Sequence, residues 1–230
     1  EFYHRHTQNI YENFYPKLTD TTVLALLPSY IEQGGSGLVC MIDAFIKKSN
    51  SQNSGYYLNN YKELEIALME SLDMNKPVVL FGVTYALLEF ARQATHKFDQ
   101  LIVVETGGMK GRGEELTKTE VHEILKEQLG VDKIHSEYGM TELMSQAYSQ
   151  GEGIFEPPKS MKIVIKDLND PFKTMGYDQV GIVNIFDLAN VHSCCFIETK
   201  DIGKRYANGR FEILGRMDNS EARGCNMLIS

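Results

Sequence analysis

The sequence predicts an α/β fold, in which a parallel sheet has helices on both of its faces and a β-rich part follows at the C-terminal end. Short apolar runs typical of buried strands alternate with amphipathic helical patterns from Thr22 to Ser136, and this alternation is characteristic of parallel β-α-β units. After Gly151 the pattern changes to strand-like runs joined by turn-rich segments, with no helix between them.

We therefore expect one large-domain portion made of an α/β part, residues 1–150, and a β-rich subdomain, residues 151–230, packed against it. No linker-like segment separates the two parts, so the subdomain is not expected to be independent. Its predicted strands are Met161–Lys166, Gly181–Asp187, Cys195–Thr199 and Phe211–Leu214.

The elements of the α/β part follow from hydrophobic periodicity. The aromatic and histidine-rich start of the chain is typical of an amphipathic helix with Phe2, Tyr3, His6 and Ile10 along one face. The Gln33–Gly37 loop precedes a helix and can hold an anion, but it lacks the lysine and spacing of a P-loop, so a tight turn over the core is the alternative. The other predicted elements before residue 100 are a strand Thr22–Leu27 ended by Pro28, a helix from about Leu38 to Ile46, a helix Tyr61–Leu72, a strand Lys76–Phe81 and a helix Val83–Arg92.

The middle of the chain carries the most informative pattern. A short apolar strand, Leu101–Val104, runs into the turn Thr106–Gly108, where glycines let the backbone come close to a ligand. Thr117 and Glu120 have the spacing of a capping box at the start of a helix, and Gly130 stands where a helix usually ends. This is the order strand, glycine turn, helix.

A second short strand begins at Ile134 and is expected to break at Ser136–Gly139. Ligands of open parallel sheets bind just beyond the carboxyl ends of the strands. We therefore expect the loops 105–113 and 136–142 to face the same crevice.

Composition and charge exclude several classes of partner. The chain has 230 residues and a formal net charge of −8 at pH 7, which argues against nucleic acid or an anionic membrane, because both need a basic patch. No apolar run approaches the length of a membrane span, and no secretory signal opens the sequence. A cytoplasmic protein is expected.

The four cysteines, Cys40, Cys194, Cys195 and Cys225, show no metal-ligand spacing. Adjacent Cys194 and Cys195 are poor disulfide partners for each other, so a reducing compartment fits the set best. Cys40 falls in an apolar helical pattern and is expected in the core, whereas Cys194 and Cys195 precede a strand and are expected to pack against it.

Residues Tyr138-Gly139-Met140-Thr141-Glu142 resemble the Tyr-Gly-x-Thr-Glu motif of adenylate-forming enzymes. The wider phrases ETGGMKGR, SEYGMTEL, SQAYS and GRMDNSEARGCN are similar to one branch, the acyl-protein synthetases that accompany bacterial luciferase. The likeness extends over most of the chain. It implies the large-domain fold of adenylate-forming enzymes and an enzyme that uses ATP and Mg²⁺ to convert a carboxylic acid, expected to be a fatty acid, to acyl-AMP.

The resemblance assigns the motif residues to the nucleotide. Glu142 would bind the metal ion, Thr141 would offer its hydroxyl to a phosphate, and Tyr138 would place its ring beside the adenine, with Gly139 and Met140 completing the motif. Without the resemblance, Thr141 and Glu142 are typical of the start of a helix, with Thr141 as the N-cap and Glu142 in the first turn.

Other positions gain roles from the same likeness. Asp201 is similar to the aspartate that accepts hydrogen bonds from ribose hydroxyls, and Arg216 is similar to an arginine that follows it. By themselves, Asp201 is typical of a turn residue and Arg216 of a surface residue.

Gly107, Gly108 and Lys110 match the segment lining the nucleotide and acyl crevice. In the same loop, Lys110 and Arg112 are expected either to neutralise phosphate or to be solvated. Glu105 is expected to be structural.

Cys225 matches the cysteine that receives the acyl group near the end of the chain in the luciferase-associated branch. Arg223 is two residues away and, in an extended segment, would share its face and favour the thiolate. The alternative is a small buried hydrophobe. An acyl reductase is the partner that the resemblance implies for taking the acyl group onward.

Two features depart from the wider superfamily. The Ser/Thr/Gly-rich phosphate loop with its lysine is not found, and the chain begins in what resembles the segment after it. No second domain with a catalytic lysine follows Cys225, as in the luciferase-associated branch. Two alternatives to the acyl-protein synthetase therefore stand: an acyl- or aryl-CoA ligase, and a fragment that binds nucleotide or a partner without turnover.

Overall fold

The computed structural model describes residues 1–27, 36–107 and 116–217. The chain forms two compact units, Glu1–Gly153 and Ile154–Ser230.

The first unit is built on a six-stranded sheet. Its first five strands are parallel, and the last runs antiparallel to its neighbour. Every residue of the two strands β1 and β3 is buried, as expected for central strands covered on both faces. In spatial order the strands are β2 (Gly55–Tyr56), β1 (Thr22–Leu26), β3 (Val78–Gly82), β4 (Leu101–Glu105), β5 (Ile134–Tyr138) and β6 (Ala147–Ser149).

In the ranges that the structure describes, five helices accompany this sheet, and two groups of aromatic contacts pack helical side chains near it. In one, Tyr11 of the first helix and Phe45 of the second pack on Phe81 of β3, with ring centroids 4.9 to 6.2 Å apart. In the other, Phe90 stacks between Tyr61 and Phe98 at 6.2 and 6.3 Å. The helices are α1 (Phe2–Phe14), α2 (Gly37–Lys48), α3 (Tyr61–Asp73), α4 (Thr84–Gln93) and α5 (Lys118–Leu129), with a 3-10 turn at Leu18–Asp20.

Both ends of α5 have the capping interactions that the sequence predicts. Thr117 Oγ1 accepts a hydrogen bond from the backbone N–H of Glu120, and the Glu120 carboxylate accepts one from the backbone N–H of Thr117 at 2.7 Å. At the other end Gly130 has φ of 73°, a left-handed conformation that favours glycine. The capping box and the glycine stop are both confirmed.

The second unit is an antiparallel five-stranded sheet. One face of β8 and β9 is buried, with Ile163, Ile165, Val183 and Ile185 on it, which gives the alternation of a one-sided sheet. The spatial order is β7 (Ile154–Phe155), β11 (Phe211–Arg216), β10 (Phe196–Arg205), β9 (Gly181–Asp187) and β8 (Met161–Lys166), with a 3-10 turn at Leu188–Asn190.

The α/β class with a β-rich C-terminal part is confirmed, but some details differ from expectation. β5 does not break at Ser136: it continues to Tyr138, because Ser136, Glu137 and Tyr138 pair with the strand β6. β10 runs on to Arg205, well beyond the predicted end. Strands of two or three residues, such as β2, β6 and β7, are too short to give a periodic signal.

The first helix is confirmed, and so is part of its predicted face, since Ile10 is buried and Tyr3 and His6 are partly buried. Its buried residues are Thr7, Ile10 and Tyr11, whereas Phe2 keeps 50% of its surface exposed. Within the described ranges, none of the helices is long and apolar enough to cross a membrane.

Candidate functional site

Two loops leave the same edge of the parallel sheet. β4 and β5 are neighbours, and Glu105 at the end of β4 is aligned with Ser136 of β5. The Thr106–Gly107 turn and the Gly139–Glu142 segment therefore both follow strand ends at this edge, as the pattern of strands and loops predicted. Gly108, Lys110 and Arg112 of the first loop lie outside the described residues.

The first turn is held by backbone hydrogen bonds. Gly107 has φ of 78°, and no described atom would contact a Cβ there, so the conformation rather than crowding requires glycine. The Gly107 carbonyl accepts a hydrogen bond from the Thr84 N–H at 3.1 Å, and the Thr106 N–H donates to the Gly82 carbonyl at 3.0 Å. These bonds join the ends of β3 and β4.

The Thr141–Glu142 segment is a turn and not the start of a helix. The Leu143 N–H donates to the Met140 carbonyl at 3.0 Å, and Leu143 is buried with 2% of its surface exposed. The chain then returns along β6. Thr141 and Glu142 are exposed, so the reading of these residues as a helix cap is wrong, and both side chains project from an anchored loop.

Gly139 is required by its neighbours. An added Cβ would collide with the Glu137 carboxyl and would lie 3.3 Å from Gln146 Cγ. Tyr138, at the end of β5, and Met140, after Gly139, are each partly buried. The glycine thus allows the motif to turn sharply over a packed carboxyl group.

Helices α1 and α2 reach this turn. A Cβ on Gly37, the first residue of α2, would be 3.9 Å from Thr141 Cα. The Tyr3 hydroxyl donates to the Gly37 carbonyl at 3.1 Å, and His6 Nε2 lies 3.0 Å from Ser145 Oγ. Sequence reasoning missed these neighbours, since no local pattern links residues that are more than a hundred positions apart.

Glu105 is a buried carboxylate, with 6% of its surface exposed. Burial by itself raises its pKa, but the neighbouring His122 imidazole, the charge of Lys118 and the hydroxyl of Thr84 together outweigh burial and hold the pKa below its usual range. Glu105 is therefore ionised at neutral pH.

Glu137 behaves in the opposite way. Burial, followed by the negative charge of Glu105, raises its pKa from 4.5 to about 8. The two carboxyls stand on adjacent strands, one ionised and one protonated at neutral pH. Titratable groups whose pKa values are pushed apart are concentrated in functional sites.

Asp201 and Arg216 are brought together in the second unit. They are cross-strand partners on β10 and β11, and Arg216 Nε lies 3.8 Å from Asp201 Oδ1. Asp201 is 9% exposed and lies within a strand, so the turn reading is wrong. The Arg216 side chain is exposed, so its guanidinium has donors left to bind an anion.

The cysteines are placed differently from expectation. Cys40 is exposed rather than in the core, because it lies on the outer side of α2, and its Sγ is 3.0 Å from His4 Nε2. Cys194 is also exposed, and its thiol donates to the Phe196 carbonyl at 3.2 Å; only Cys195, which is half-buried, fits a packing role. Cys225 and Arg223 lie outside the described residues.

The donor set around Glu142 can be tested against magnesium. No cluster of three or more His, Cys, Asp or Glu side chains is arranged for a metal ion in the described ranges. Mg²⁺ commonly takes only one or two protein carboxylates, with phosphate oxygens and water completing its shell. One exposed carboxylate beside an exposed hydroxyl fits this mode of binding, and it does not fit an all-protein metal cage.

Solved structures with the same fold are adenylate-forming ligases. ATP-bound MatB from Rhodopseudomonas palustris superposes with a TM-score of 0.66 at 15% identity, over 94% of this chain and 44% of that one. O-succinylbenzoate coenzyme A synthetase (MenE) from Bacillus subtilis with ATP and magnesium gives 0.63 at 16% identity, over 94% and 45%. A malonyl-CoA ligase ternary product complex with methylmalonyl-CoA and AMP gives 0.63 at 16% identity, over 94% and 48%.

These likenesses establish the fold, and the chain spans less than half the length of the structures named. A search of curated proteins found no significant match. The model of one protein family, acyl-protein synthetase, LuxE, matches residues 45–230. Since this is most of the sequence, the chain belongs to the LuxE acyl-protein synthetase family.

Proposed function

We propose that this protein takes part in ATP-dependent activation of a carboxylic acid to acyl-AMP, followed by transfer of the acyl group to a cysteine thiol of the protein. The observation that carries the proposal is the exposed Thr141–Glu142 turn, anchored by Leu143, at the same sheet edge as the Gly107 turn. Membership of the LuxE family gives this geometry its chemical meaning.

Each residue of the turn has a defined role in the proposed first step. Glu142 would hold Mg²⁺, which when bound neutralises phosphate charge and stabilises the negative charge that develops on the oxygens around the α-phosphorus. Thr141 donates its hydroxyl to a phosphate oxygen, and Tyr138 places its ring beside the adenine. Gly107 keeps the first turn free of a side chain, so that the backbone can approach the nucleotide.

Asp201 is the proposed acceptor of hydrogen bonds from the ribose hydroxyls, and its burial and its contact with Arg216 support a side chain held in a fixed position. Arg216 adds positive charge for the phosphate chain. This part of the proposal rests on the resemblance of both positions to the residues of adenylate-forming enzymes.

In the proposed second step the Cys225 thiolate attacks the carbonyl carbon of acyl-AMP. A carbon–sulfur bond forms, the bond from the carbonyl carbon to the phosphate oxygen breaks, and AMP leaves with the electron pair. Arg223 favours the thiolate by its positive charge. A fatty acid is the proposed substrate, and an acyl reductase is the proposed partner that removes the acyl group.

Substitution of Glu142 tests the first step. Because a metal-bound carboxylate stabilises transition-state charge by several kcal/mol, Glu142→Gln should lower ATP–pyrophosphate exchange by at least about a hundredfold. Glu142 is exposed, so the free energy of unfolding should change by about 0.5 kcal/mol or less. Glu123→Gln, an exposed change on α5, is the control and should keep normal exchange; exchange near wild type in Glu142→Gln would exclude the metal role.

Mapping of the acyl group tests the second step. The full-length protein, incubated with ATP and a labelled fatty acid, should form a thioester that neutral hydroxylamine cleaves, and mass spectrometry should place it on the peptide containing Cys225. Cys225→Ser should lose the label, whereas Cys194→Ser should keep it. Label that persists in Cys225→Ser, or that maps to Cys40, Cys194 or Cys195, would refute the assignment.

An acyl- or aryl-CoA ligase is the second candidate, favoured by the CoA ligases among the structures of the same fold. In that reaction coenzyme A accepts the acyl group, so Cys225→Ser would keep full turnover with coenzyme A. The third reading, binding without turnover, is removed by ATP-dependent pyrophosphate release from the full-length protein.

A further inference from the structure

We propose that Glu105 is a positioning residue for the nucleotide site: its carboxylate ties the Thr106–Gly107 turn, after β4, to Thr84, after β3, and to Ser136 within β5. The inference rests on the proposed function for its catalytic consequence, and on contacts of the described residues for its structural part.

The carboxylate accepts hydrogen bonds from residues that belong to three neighbouring parts of the sheet edge. Oε1 accepts hydrogen bonds from the Thr84 hydroxyl, just after β3, and from the backbone N–H of Gly107, just after β4, the latter at 2.7 Å. Oε2 accepts one from the hydroxyl of Ser136, in β5, at 3.5 Å. Neighbouring strands of a parallel sheet are otherwise joined by their own ladder, which stops where these loops begin.

The negative charge of Glu105 is part of this arrangement. His122 Nε2 lies 4.0 Å from Glu105 Oε2, which is too far for a hydrogen bond. His122 Nε2 has no hydrogen-bond partner among the residues that the structure describes. His122 is 9% exposed. His122 and the charge of Lys118, both on α5, lower the pKa of Glu105, so its ionised form has support from α5 as well as from the residues after β3 and β4.

Glu105 differs from an ordinary buried carboxylate in which parts of the chain its hydrogen bonds connect. Oε1 accepts hydrogen bonds from the Gly107 N–H and the Thr84 hydroxyl, and the Gly107 carbonyl accepts one from the Thr84 N–H at 3.1 Å. Thr84 begins α4. Loss of the carboxylate would therefore release both the turn after β4 and the first residue of a helix at the same edge as the Thr141–Glu142 turn.

The chain offers a matched control in Glu65. Its Oε1 accepts hydrogen bonds from the Thr95 hydroxyl at 3.0 Å and the Thr95 N–H at 2.8 Å, and contacts His96 Nδ1 at 2.8 Å. Its side chain is 13% exposed, and its pKa is also held low: burial raises it, but His96 and Thr95 outweigh burial. Thr95 lies two residues beyond the end of α4, so Glu65 binds at the opposite end of that helix from Thr84.

The test compares Glu105→Gln with Glu65→Gln in the full-length protein. Hydrogen exchange at the Gly107 amide, followed without substrate, should accelerate by about tenfold or more in Glu105→Gln and stay unchanged in Glu65→Gln. In ATP–pyrophosphate exchange, KM for ATP should rise by about tenfold in Glu105→Gln with a smaller change in kcat, because the loops are less well ordered before ATP binds. Glu105→Asp, which keeps the charge, should recover part of both effects.

Several results would overturn the proposal. Wild-type exchange at Gly107 in Glu105→Gln would remove the structural tie, whether or not the protein catalyses pyrophosphate exchange. An equal rise of KM in Glu65→Gln would show a general effect of lost stability. If Glu105→Gln does not fold, Glu105→Asp is judged by the same two measurements. If the wild type shows no pyrophosphate exchange, the proposed function fails, and the Gly107 amide still decides the role of Glu105.

Discussion

Because the Glu137 carboxyl keeps its proton in the folded protein at neutral pH, we expect the free energy of unfolding to depend on pH. Glu137 pairs with Tyr148 across β5 and β6, and its charge acts on the buried hydroxyls of Tyr3, Tyr15 and Tyr148. None of the described residues donates a hydrogen bond to its carboxyl. Burial and then the charge of Glu105 raise its pKa from 4.5 to about 8, so the ionised form is unfavourable in the folded protein.

The direction of this pH dependence follows from the difference in proton binding between the folded and the unfolded protein. Between pH 4.5 and about 8 the folded protein keeps the Glu137 proton, whereas the unfolded chain releases it. The free energy of unfolding therefore falls as pH rises through this window and levels off above pH 8. One pKa unit corresponds to about 1.36 kcal/mol, which sets an upper limit of about 4 to 5 kcal/mol for the whole window. Glu137 keeps some exposed surface, and water there reduces the expected value to about 2 to 3 kcal/mol.

Glu137→Gln measures this penalty, because Gln has the shape of a protonated Glu and does not titrate. Urea denaturation at pH 5, 6, 7 and 8 should give nearly equal stability for the two proteins at pH 5. The variant should become more stable than the wild type by about 2 to 3 kcal/mol at pH 8. Other titrating groups are common to both proteins and cancel in the difference. Glu123→Gln, at an exposed position, should show no such divergence; parallel stability curves for Glu137→Gln and the wild type would refute the reasoning.

Three further substitutions or reactions test the local structure. Thr117→Ala removes the capping box of α5 and should lower the free energy of unfolding by about 1 kcal/mol in urea denaturation, and an unchanged midpoint would count against the cap. Gly203→Ala should cost about 2 kcal/mol or more, because its Cβ would collide with a backbone carbonyl of β11, whereas Gly215→Ala has open space and should be close to neutral. Iodoacetamide should alkylate both Cys40 and Cys194, because both side chains are exposed, and protection of either cysteine in peptide mapping would contradict its placement at the surface.

The sequence by itself determined the fold class and much of the local structure. Strand and helix periodicity, the capping box at Thr117 and the stop at Gly130 depend on residues within a few positions of one another, and their hydrogen bonds form within one element. The same locality placed Gly107 and the Thr141–Glu142 segment after neighbouring strand ends, because parallel strands present their carboxyl ends at one edge. The family motif then assigned chemistry to the second segment.

Only the tertiary structure decided what surrounds those residues. The end of β5 was set by pairing with β6, and the opposite ionisation of Glu105 and Glu137 was set by which groups lie next to each carboxyl. The contact of His6 with Ser145 and the exposure of Cys40 likewise depend on how α1 and α2 dock. Burial and charge act through distance in space, and residues far apart in sequence acquire that distance only when the sheet and helices pack.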